Sequence, residues 1–143
     1  MSSPWIESLR SVALNVPDLA RAEEFYTRTW QLEAAQRSDD ALYLRGTGSD
    51  AYLLALHQGG PAPQLRHVTL RARSREALDA IAARVADAGG MLLEPLHALR
   101  LDPAGGVGIT IKDADGRVFQ IVHGDERPAA APAQDRPIRL AHV

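Results

Sequence analysis

One short pattern recurs along this chain of 143 residues and constrains its fold more than any other feature. The pattern reads SLRSVALNV from residue 8, QLRHVTLRA from residue 64 and PIRLAHV from residue 137. In the second copy, apolar Val68 and Leu70 alternate with His67 and Thr69, which predicts a β-strand with one buried face. A pattern repeated at this spacing predicts two copies of one structural unit and the opening strand of a third.

The two complete copies share one order of predicted elements. A helix follows each opening strand, and its N-cap is Asp18 in the first copy and Ser74 in the second. Three strands follow each helix, so each copy reads β, α, β, β, β and the fold class is α+β. The predicted strands cover residues 6–16, 32–37, 41–45, 51–57, 64–73, 91–97, 107–113 and 118–123, and the first helix covers residues 19–32.

Three local patterns sharpen these predictions. Pro95 lies within the strand over residues 91–97 and predicts an edge strand, because proline cannot donate a ladder hydrogen bond. The sequence DADG over residues 113–116 predicts a hairpin turn with Gly116 at positive φ. Apolar and aromatic residues at helical spacing predict that one face of the first helix packs on its sheet. These residues are Leu19, Ala22, Phe25, Tyr26 and Trp30.

Composition excludes several classes of protein. The chain has 16 basic and 18 acidic residues and a net charge of -2, which gives no electrostatic case for binding nucleic acid or an anionic membrane. It has no cysteine, so disulfides and thiolate sites are excluded. The first residues lack a signal-peptide pattern, and no apolar run approaches the ~18 residues of a membrane span. We therefore expect a cytoplasmic protein that binds neither nucleic acid nor membrane.

Three stretches together carry a family resemblance that covers almost the whole chain. They read VALNVPDLARAEEFYTRTWQL from residue 12, HVTLRA from residue 67 and DADGRVFQIVHG from residue 113. In their order and duplication the chain resembles the vicinal oxygen chelate superfamily, which groups glyoxalase I, bleomycin resistance proteins and type I extradiol dioxygenases. The resemblance implies two paired βαβββ modules that form an incomplete barrel around a metal or ligand cavity. It predicts one domain over residues 1–124, with modules at about 5–58 and 64–124.

The same resemblance implies where a metal would be held. The family takes ligands from each opening strand, usually His, and from each closing strand, usually Glu. The matching positions are Ser11, Ala55, His67 and Gln120. Only His67 is a good ligand, and Gln120 offers a neutral amide oxygen, whereas such open sites need three good protein ligands. We therefore expect no cofactor in residues 1–124, with His67 and Gln120 as weak metal candidates. The residues expected to line the cavity are Ser11, Ala55, His57 and Thr69.

The third copy of the pattern follows a segment rich in Pro and Ala. Residues 125–136 predict an inter-domain linker whose acidic residues are solvated. Residues 125–143 are then either this linker with the start of a third module, or a tail ending in a strand that pairs with a sheet. In the two-domain extradiol dioxygenases that the chain resembles, the N-terminal pair of modules has lost its metal. The C-terminal pair holds Fe(II) or Mn(II) on two His and one Glu, and His142 matches the first of these His.

Three functions follow from this resemblance. The first is the non-catalytic N-terminal half of an extradiol ring-cleavage dioxygenase, an oxidoreductase acting on a small aromatic diol, with His142 as a metal ligand only if a C-terminal half follows. The alternative is a metal-free dimer of the bleomycin-resistance type that sequesters a small molecule or drug. The third is glyoxalase-like isomerase chemistry, which needs a metal and a carboxylate base at positions held here by Ala55 and Gln120. In each case we expect a homodimer or higher oligomer.

Overall fold

The computed structural model describes residues 5–128 and 137–140. Its fold class is the predicted one, α+β, with two successive βαβββ modules. The elements are β1 (Ile6–Val16), α1 (Leu19–Arg28), β2 (Glu33–Arg37), β3 (Ala41–Arg45), β4 (Leu54–Gln58), β5 (Gln64–Ala72), α2 (Arg75–Arg84), β6 (Met91–Ala98), β7 (Val107–Lys112) and β8 (Val118–His123).

Contacts divide the described residues into two compact units. The N-terminal unit comprises residues 10–66, 126–128 and 137–140, and the C-terminal unit comprises residues 5–9 and 67–125. The start of β1 therefore belongs with the second module rather than the first. One contact that ties it there is the hydrogen bond from the Arg73 backbone N–H to the Trp5 carbonyl, at 2.8 Å.

The N-terminal unit is a four-stranded mixed sheet packed on α1. Its strand order is β2-β3-β4-β1, and β1 runs parallel to β4 while the other pairs are antiparallel. Asp18 caps α1 as predicted, with its carboxylate accepting the Arg21 backbone N–H at 3.1 Å. The buried core on the helix side consists of Val12, Val16, Leu32, Leu42, Leu44, Leu53, Leu54 and Leu56.

The predicted packing of α1 is partly wrong. Leu19, Ala22 and Tyr26 pack against this core, but Phe25 and Trp30 are 48% and 50% exposed. The two exposed rings instead pack around Tyr26, whose ring centroid lies 5.0 Å from that of Phe25 and 4.9 Å from that of Trp30. The helix also ends at Arg28 rather than at the predicted residue 32, so Trp30 lies beyond its last residue.

The C-terminal unit repeats the arrangement around α2. Its strand order is β5-β8-β7-β6, with β5 parallel to β8. The Ser74 hydroxyl accepts the Ala77 backbone N–H at 3.0 Å and caps α2 as predicted. β6 lies at the end of this order, with register shifts on both sides of Glu94, so the edge-strand prediction from Pro95 is confirmed. The buried core consists of Ala72, Ala77, Leu78, Ile109 and Ile121.

Three strand starts differ from the predictions, and one turn agrees. β2 begins at Glu33, one residue later than predicted. β4 begins at Leu54 rather than at the predicted residue 51, because residues 51–53 belong to the preceding loop. Tyr52 and Leu53 are buried there, and the Leu53 backbone donates to the Leu44 carbonyl at 2.7 Å and accepts from the Val12 N–H at 3.0 Å. Residues 137–140 have no regular secondary structure, so the strand predicted from residue 138 does not begin within them. Gly116 has a φ of 88°, as the hairpin turn after β7 requires.

Each of the two helices has ten residues. Across the described ranges, neither helix combines the length and apolar character needed to cross a membrane.

Candidate functional site

The candidate site residues lie on the sheet face that does not pack on the helix, which we call the far face. Successive residues of a strand point to opposite faces, so the residues that precede and follow a core residue in the sequence lie on the far face. In the C-terminal unit, strand register aligns four polar residues across this face, one from each strand. In sheet order these residues are Thr69, Gln120, Thr110 and Glu94. We call them the polar row.

Hydrogen bonds join the polar row in two pairs. The Thr69 hydroxyl donates to the Gln120 side-chain oxygen at 3.3 Å, and the Thr110 hydroxyl donates to the Glu94 carboxylate at 3.2 Å. Thr69 is only 1% exposed. The one metal-ligating atom that Gln120 offers, its amide oxygen, is therefore already the acceptor of a buried hydroxyl.

His67 lies two residues before Thr69 on the same strand and the same face. It is half-buried, and it precedes Val68, where the pairing of β5 with β8 begins. Its role as a weak metal candidate stays a prediction. The structure thus brings Thr69 and Gln120 into contact and places His67 one alternation away on the strand.

A buried ion pair lies at the C-terminal end of β5, on its far face. The Arg71 guanidinium donates to both carboxylate oxygens of Asp125, at 3.0 Å through Nε and 2.5 Å through Nη2. The two side chains are 6% and 1% exposed. The prediction that the acidic residues of the linker are solvated is therefore wrong for Asp125. This carboxylate belongs to the C-terminal unit, because a buried carboxylate needs a cation and Arg71 supplies it.

The far face of the N-terminal unit is apolar and aromatic where the other unit is polar. Strand register aligns Ala13, Ala55 and Tyr43 in one row, and Asn15, His57 and Ala41 in the next. Ala13 and Ala55 are 2% and 3% exposed. The Tyr43 ring lies edge-on to the ring of His57, with 6.1 Å between centroids, and the centroid of the Tyr52 ring lies 5.0 Å from that of Tyr43.

Arg10 is completely buried beside the predicted cavity residue Ser11. Its Nη2 donates to the Tyr52 hydroxyl at 2.5 Å, and its Cζ lies 4.7 Å from the centre of the Tyr52 ring. Its Nε donates to the Ser11 hydroxyl oxygen at 3.2 Å. The oxygen at the first expected ligand position therefore accepts a hydrogen bond from a guanidinium.

His57 lies in an environment that favours its neutral form. Burial lowers the pKa of His57, the positive charge of Arg66 lowers it further, and the negative charge of Asp40 acts in the opposite direction. Arg66 itself is held by Asn15, whose side-chain oxygen accepts from its Nη1 at 3.2 Å. His57 is thus set up as a neutral hydrogen-bonding ring on this face.

The residues that the structure describes do not fit a divalent metal ion. Within residues 5–128 and 137–140, no three His, Asp or Glu side chains form a group that could hold one. Ala55 has no ligand atom, and the oxygens of Ser11 and Gln120 already accept hydrogen bonds from Arg10 and Thr69. A guanidinium about 3 Å from a ligand oxygen also repels a cation there. His142, the remaining candidate, lies outside the described residues.

Sequence reasoning missed the partners of the two buried arginines. Arg10 and Tyr52 are 42 residues apart in the chain, and Arg71 and Asp125 are 54 residues apart. Nothing local in the sequence marked the residue that pairs with either arginine. A buried position occupied by arginine was the available signal, since such a charge needs a partner elsewhere.

Comparison with solved structures identifies this fold in much longer chains. The Mn(II)-bound glyoxalase from Novosphingobium aromaticivorans matches with a TM-score of 0.90 at 22% identity, over 96% of this chain and 46% of that chain. Homoprotocatechuate 2,3-dioxygenase from Arthrobacter globiformis matches with a TM-score of 0.84 at 21% identity, over 98% and 45%. An extradiol ring-cleaving dioxygenase from B. fuscum gives 0.77 at 21% identity, over 87% and 34%. At such identities the matches show the fold alone.

This chain spans less than half the length of these three structures. No curated protein matches its sequence. A family model does match, over residues 8–121, and it is described as the glyoxalase/bleomycin resistance protein/dioxygenase superfamily. The matched residues cover most of both modules and include all four expected ligand positions. The chain therefore belongs to the glyoxalase/bleomycin resistance protein/dioxygenase superfamily.

Proposed function

We propose that the two modules are the non-catalytic N-terminal half of a metal-dependent extradiol ring-cleavage dioxygenase. The observation that carries the proposal is the occupation of the expected ligand positions by groups that do not fit a metal. Ser11 accepts from the Arg10 guanidinium, Gln120 accepts from the Thr69 hydroxyl, and Ala55 has no donor atom. Because these positions offer no complete set of ligands, we assign the chemistry to another part of the enzyme.

The lengths of the solved structures support the proposal that this chain is one half of a longer enzyme. The chain matches over 96–98% of its own length but over only 45–46% of the glyoxalase and the Arthrobacter globiformis dioxygenase. The sequence pattern that opens both modules also begins again at residue 137. We propose that a second pair of modules follows, with His142 as one ligand of Fe(II) or Mn(II).

The proposed substrate is a small aromatic diol. Homoprotocatechuate 2,3-dioxygenases are among the solved structures that match, and some of them are complexes with HPCA. Within the two modules, residues 1–124, the side chains contribute scaffold rather than chemistry, so no reaction step is assigned to them. A homodimer or higher oligomer in the cytoplasm completes the proposal.

The test compares two proteins, the 143-residue chain and the same chain continued by the proposed second pair of modules. Each is supplied with Fe(II) or Mn(II) under anaerobic conditions and then given catechol or homoprotocatechuate with O₂. We expect ring cleavage, followed by absorbance of the yellow product, only from the longer protein. His142→Ala in the longer protein should abolish it, whereas His67→Ala should not.

Two other results would replace the proposal. Stoichiometric binding of an aromatic or cationic ligand by a dimer of the 143-residue chain, without turnover of a diol, would assign it to the drug-sequestering members instead. Isomerase turnover of a glyoxalase substrate by the longer protein, with no ring cleavage, would place the chain in a two-half glyoxalase.

A further inference from the structure

Residues 137–140 lie against the loop between β3 and β4 of the N-terminal unit. The Thr47 backbone N–H donates to the Pro137 carbonyl at 2.8 Å, and the Thr47 hydroxyl lies 3.5 Å from the same oxygen. Leu140 packs against the apolar core of this unit. Thr47 is only 7% exposed, so the contact is buried in the folded unit. A backbone hydrogen bond and an apolar side chain thus fix both ends of this four-residue segment.

Two glycines on the same loop make room for the segment. A Cβ atom on Gly46 would lie 2.1 Å from the Pro137 carbonyl oxygen, and one on Gly48 would lie 2.3 Å from the Ile138 carbonyl oxygen. Both distances are far below any van der Waals contact, and the obstructing atoms are backbone. Neither glycine has a positive φ. The absence of a side chain at these two positions is therefore required by the passing backbone and not by the conformation of the loop.

We propose that the loop Gly46-Thr47-Gly48 is a docking cradle for residues 137–140 and that it fixes the point from which the chain continues. Its occupant is a named segment of this same chain. The functional part of the inference rests on the proposed function, because it concerns the placement of His142 and of the proposed third module.

Chain geometry gives the size of the effect. From Pro128 to His142 is 14 residues, and without docking a chain of that length with no fixed structure would have an end-to-end distance of about 20 Å. From Leu140 to His142 is two residues, which reach at most about 7 Å. Docking would therefore reduce the volume that His142 can reach roughly twentyfold. Its effective concentration within that volume would rise by the same factor.

The test uses hydrogen exchange and trypsin on the 143-residue chain. Gly48→Ala and Gly46→Ala should each speed exchange of the Thr47 amide at least about tenfold, because its acceptor is displaced. Cleavage after Arg139 should accelerate in parallel. Gly59→Ala is the matched control, since a Cβ there meets no atom within 4 Å and its φ is not positive. Unchanged exchange and cleavage in both cradle variants would overturn the inference.

A second variant guards against a folding defect in the loop. Leu140→Ala leaves the loop sequence intact and should also speed Thr47 exchange, while the Leu56 amide in the core stays protected. If the glycine variants also lose protection of the Leu56 amide, their effect is a folding defect and Leu140→Ala becomes the deciding variant. A wild-type exchange rate of the Thr47 amide in Leu140→Ala would then overturn the cradle.

The placement of His142 is tested in the longer protein. Gly48→Ala should lower its ring-cleavage rate at saturating metal, and Gly59→Ala should not. An unchanged rate in Gly48→Ala would overturn the positioning role. If the segment docks but the longer protein has no activity, the cradle is supported and the proposed function fails. If the longer protein is active but its Thr47 amide is unprotected, the proposed function is supported and the cradle fails.

Discussion

The two units share one module but differ in what they place on the far face of the sheet. The C-terminal unit places a hydrogen-bonded polar row there, including Thr69 and Gln120. The N-terminal unit places Ala13 and Ala55 at comparable positions, beside the ring of Tyr43. The helix side is apolar in both. The fold is therefore compatible with different side chains on the far face, as long as the helix side of the sheet stays apolar.

The largest difference between the units is the buried ion pair of the C-terminal unit. With the offset of 56 residues that aligns Ser11 with His67, Arg71 corresponds to Asn15. Asp125→Asn should lower the free energy of unfolding by about 3–5 kcal/mol, because it leaves the Arg71 guanidinium buried without its carboxylate. Asn15→Ala removes only an exposed hydrogen bond to Arg66 and should change the free energy by less than about 1.5 kcal/mol. Urea denaturation measures both, and equal effects would contradict the contrast.

The helix-side cores should respond alike in the two units. Leu56 and Ile121 occupy corresponding positions in the closing strands and are 0% and 2% exposed. Leu56→Ala and Ile121→Ala should each lower the free energy of unfolding by about 2–5 kcal/mol, through lost burial and the cavity left behind. Leu101→Ala, at a leucine that is 95% exposed, is the control and should have an effect within about 0.5 kcal/mol. A near-zero effect at only one core position would show that the two cores are not equivalent.

The smallest expected effect is the pH dependence that His57 contributes in the N-terminal unit. The pKa of His57 is lowered, first by burial, so folding favours its neutral form. This stability is fully present above the ordinary histidine pKa, near 6.5, and is lost as the pH falls below it toward the lowered pKa. His57→Asn should therefore flatten the decline of the free energy of unfolding between about pH 6.5 and 5.

An NMR titration of the His57 ring checks the cause directly. Arg66→Gln should move the pKa of His57 back toward its ordinary value, because it removes the nearby positive charge. An unchanged pKa in Arg66→Gln, together with an unchanged stability profile in His57→Asn, would remove this distinction between the units.

Sequence alone predicted the elements whose periodicity is clean. β1, β3 and β8 begin and end where alternation places them, because each strand has one apolar face. The end of α1 was placed too late. Gln31 takes a left-handed φ of 60°, a position where glycine is usual, and the Leu32 backbone N–H caps the Tyr26 carbonyl at 3.1 Å. Without a glycine, the sequence did not mark this end.

The candidate site was predictable by position but not by chemistry. Alternation and the repeat placed Thr69 and Gln120 on one face, and their hydrogen bond follows from the strand register. The guanidinium of Arg10 on Ser11 depends on Tyr52, which lies in a loop far along the chain. Such pairings are set by tertiary packing, which a local pattern cannot report.

The central claim is that the far faces of this chain hold no catalytic metal, and metal content tests it most directly. The 143-residue chain is incubated with Fe(II) or Mn(II) under anaerobic conditions, desalted and measured by elemental mass spectrometry. We expect less than about 0.1 metal ion per chain, because no set of three good ligands is present in the described residues. One tightly bound ion per chain, lost in His67→Ala and in Gln120→Ala, would contradict the account.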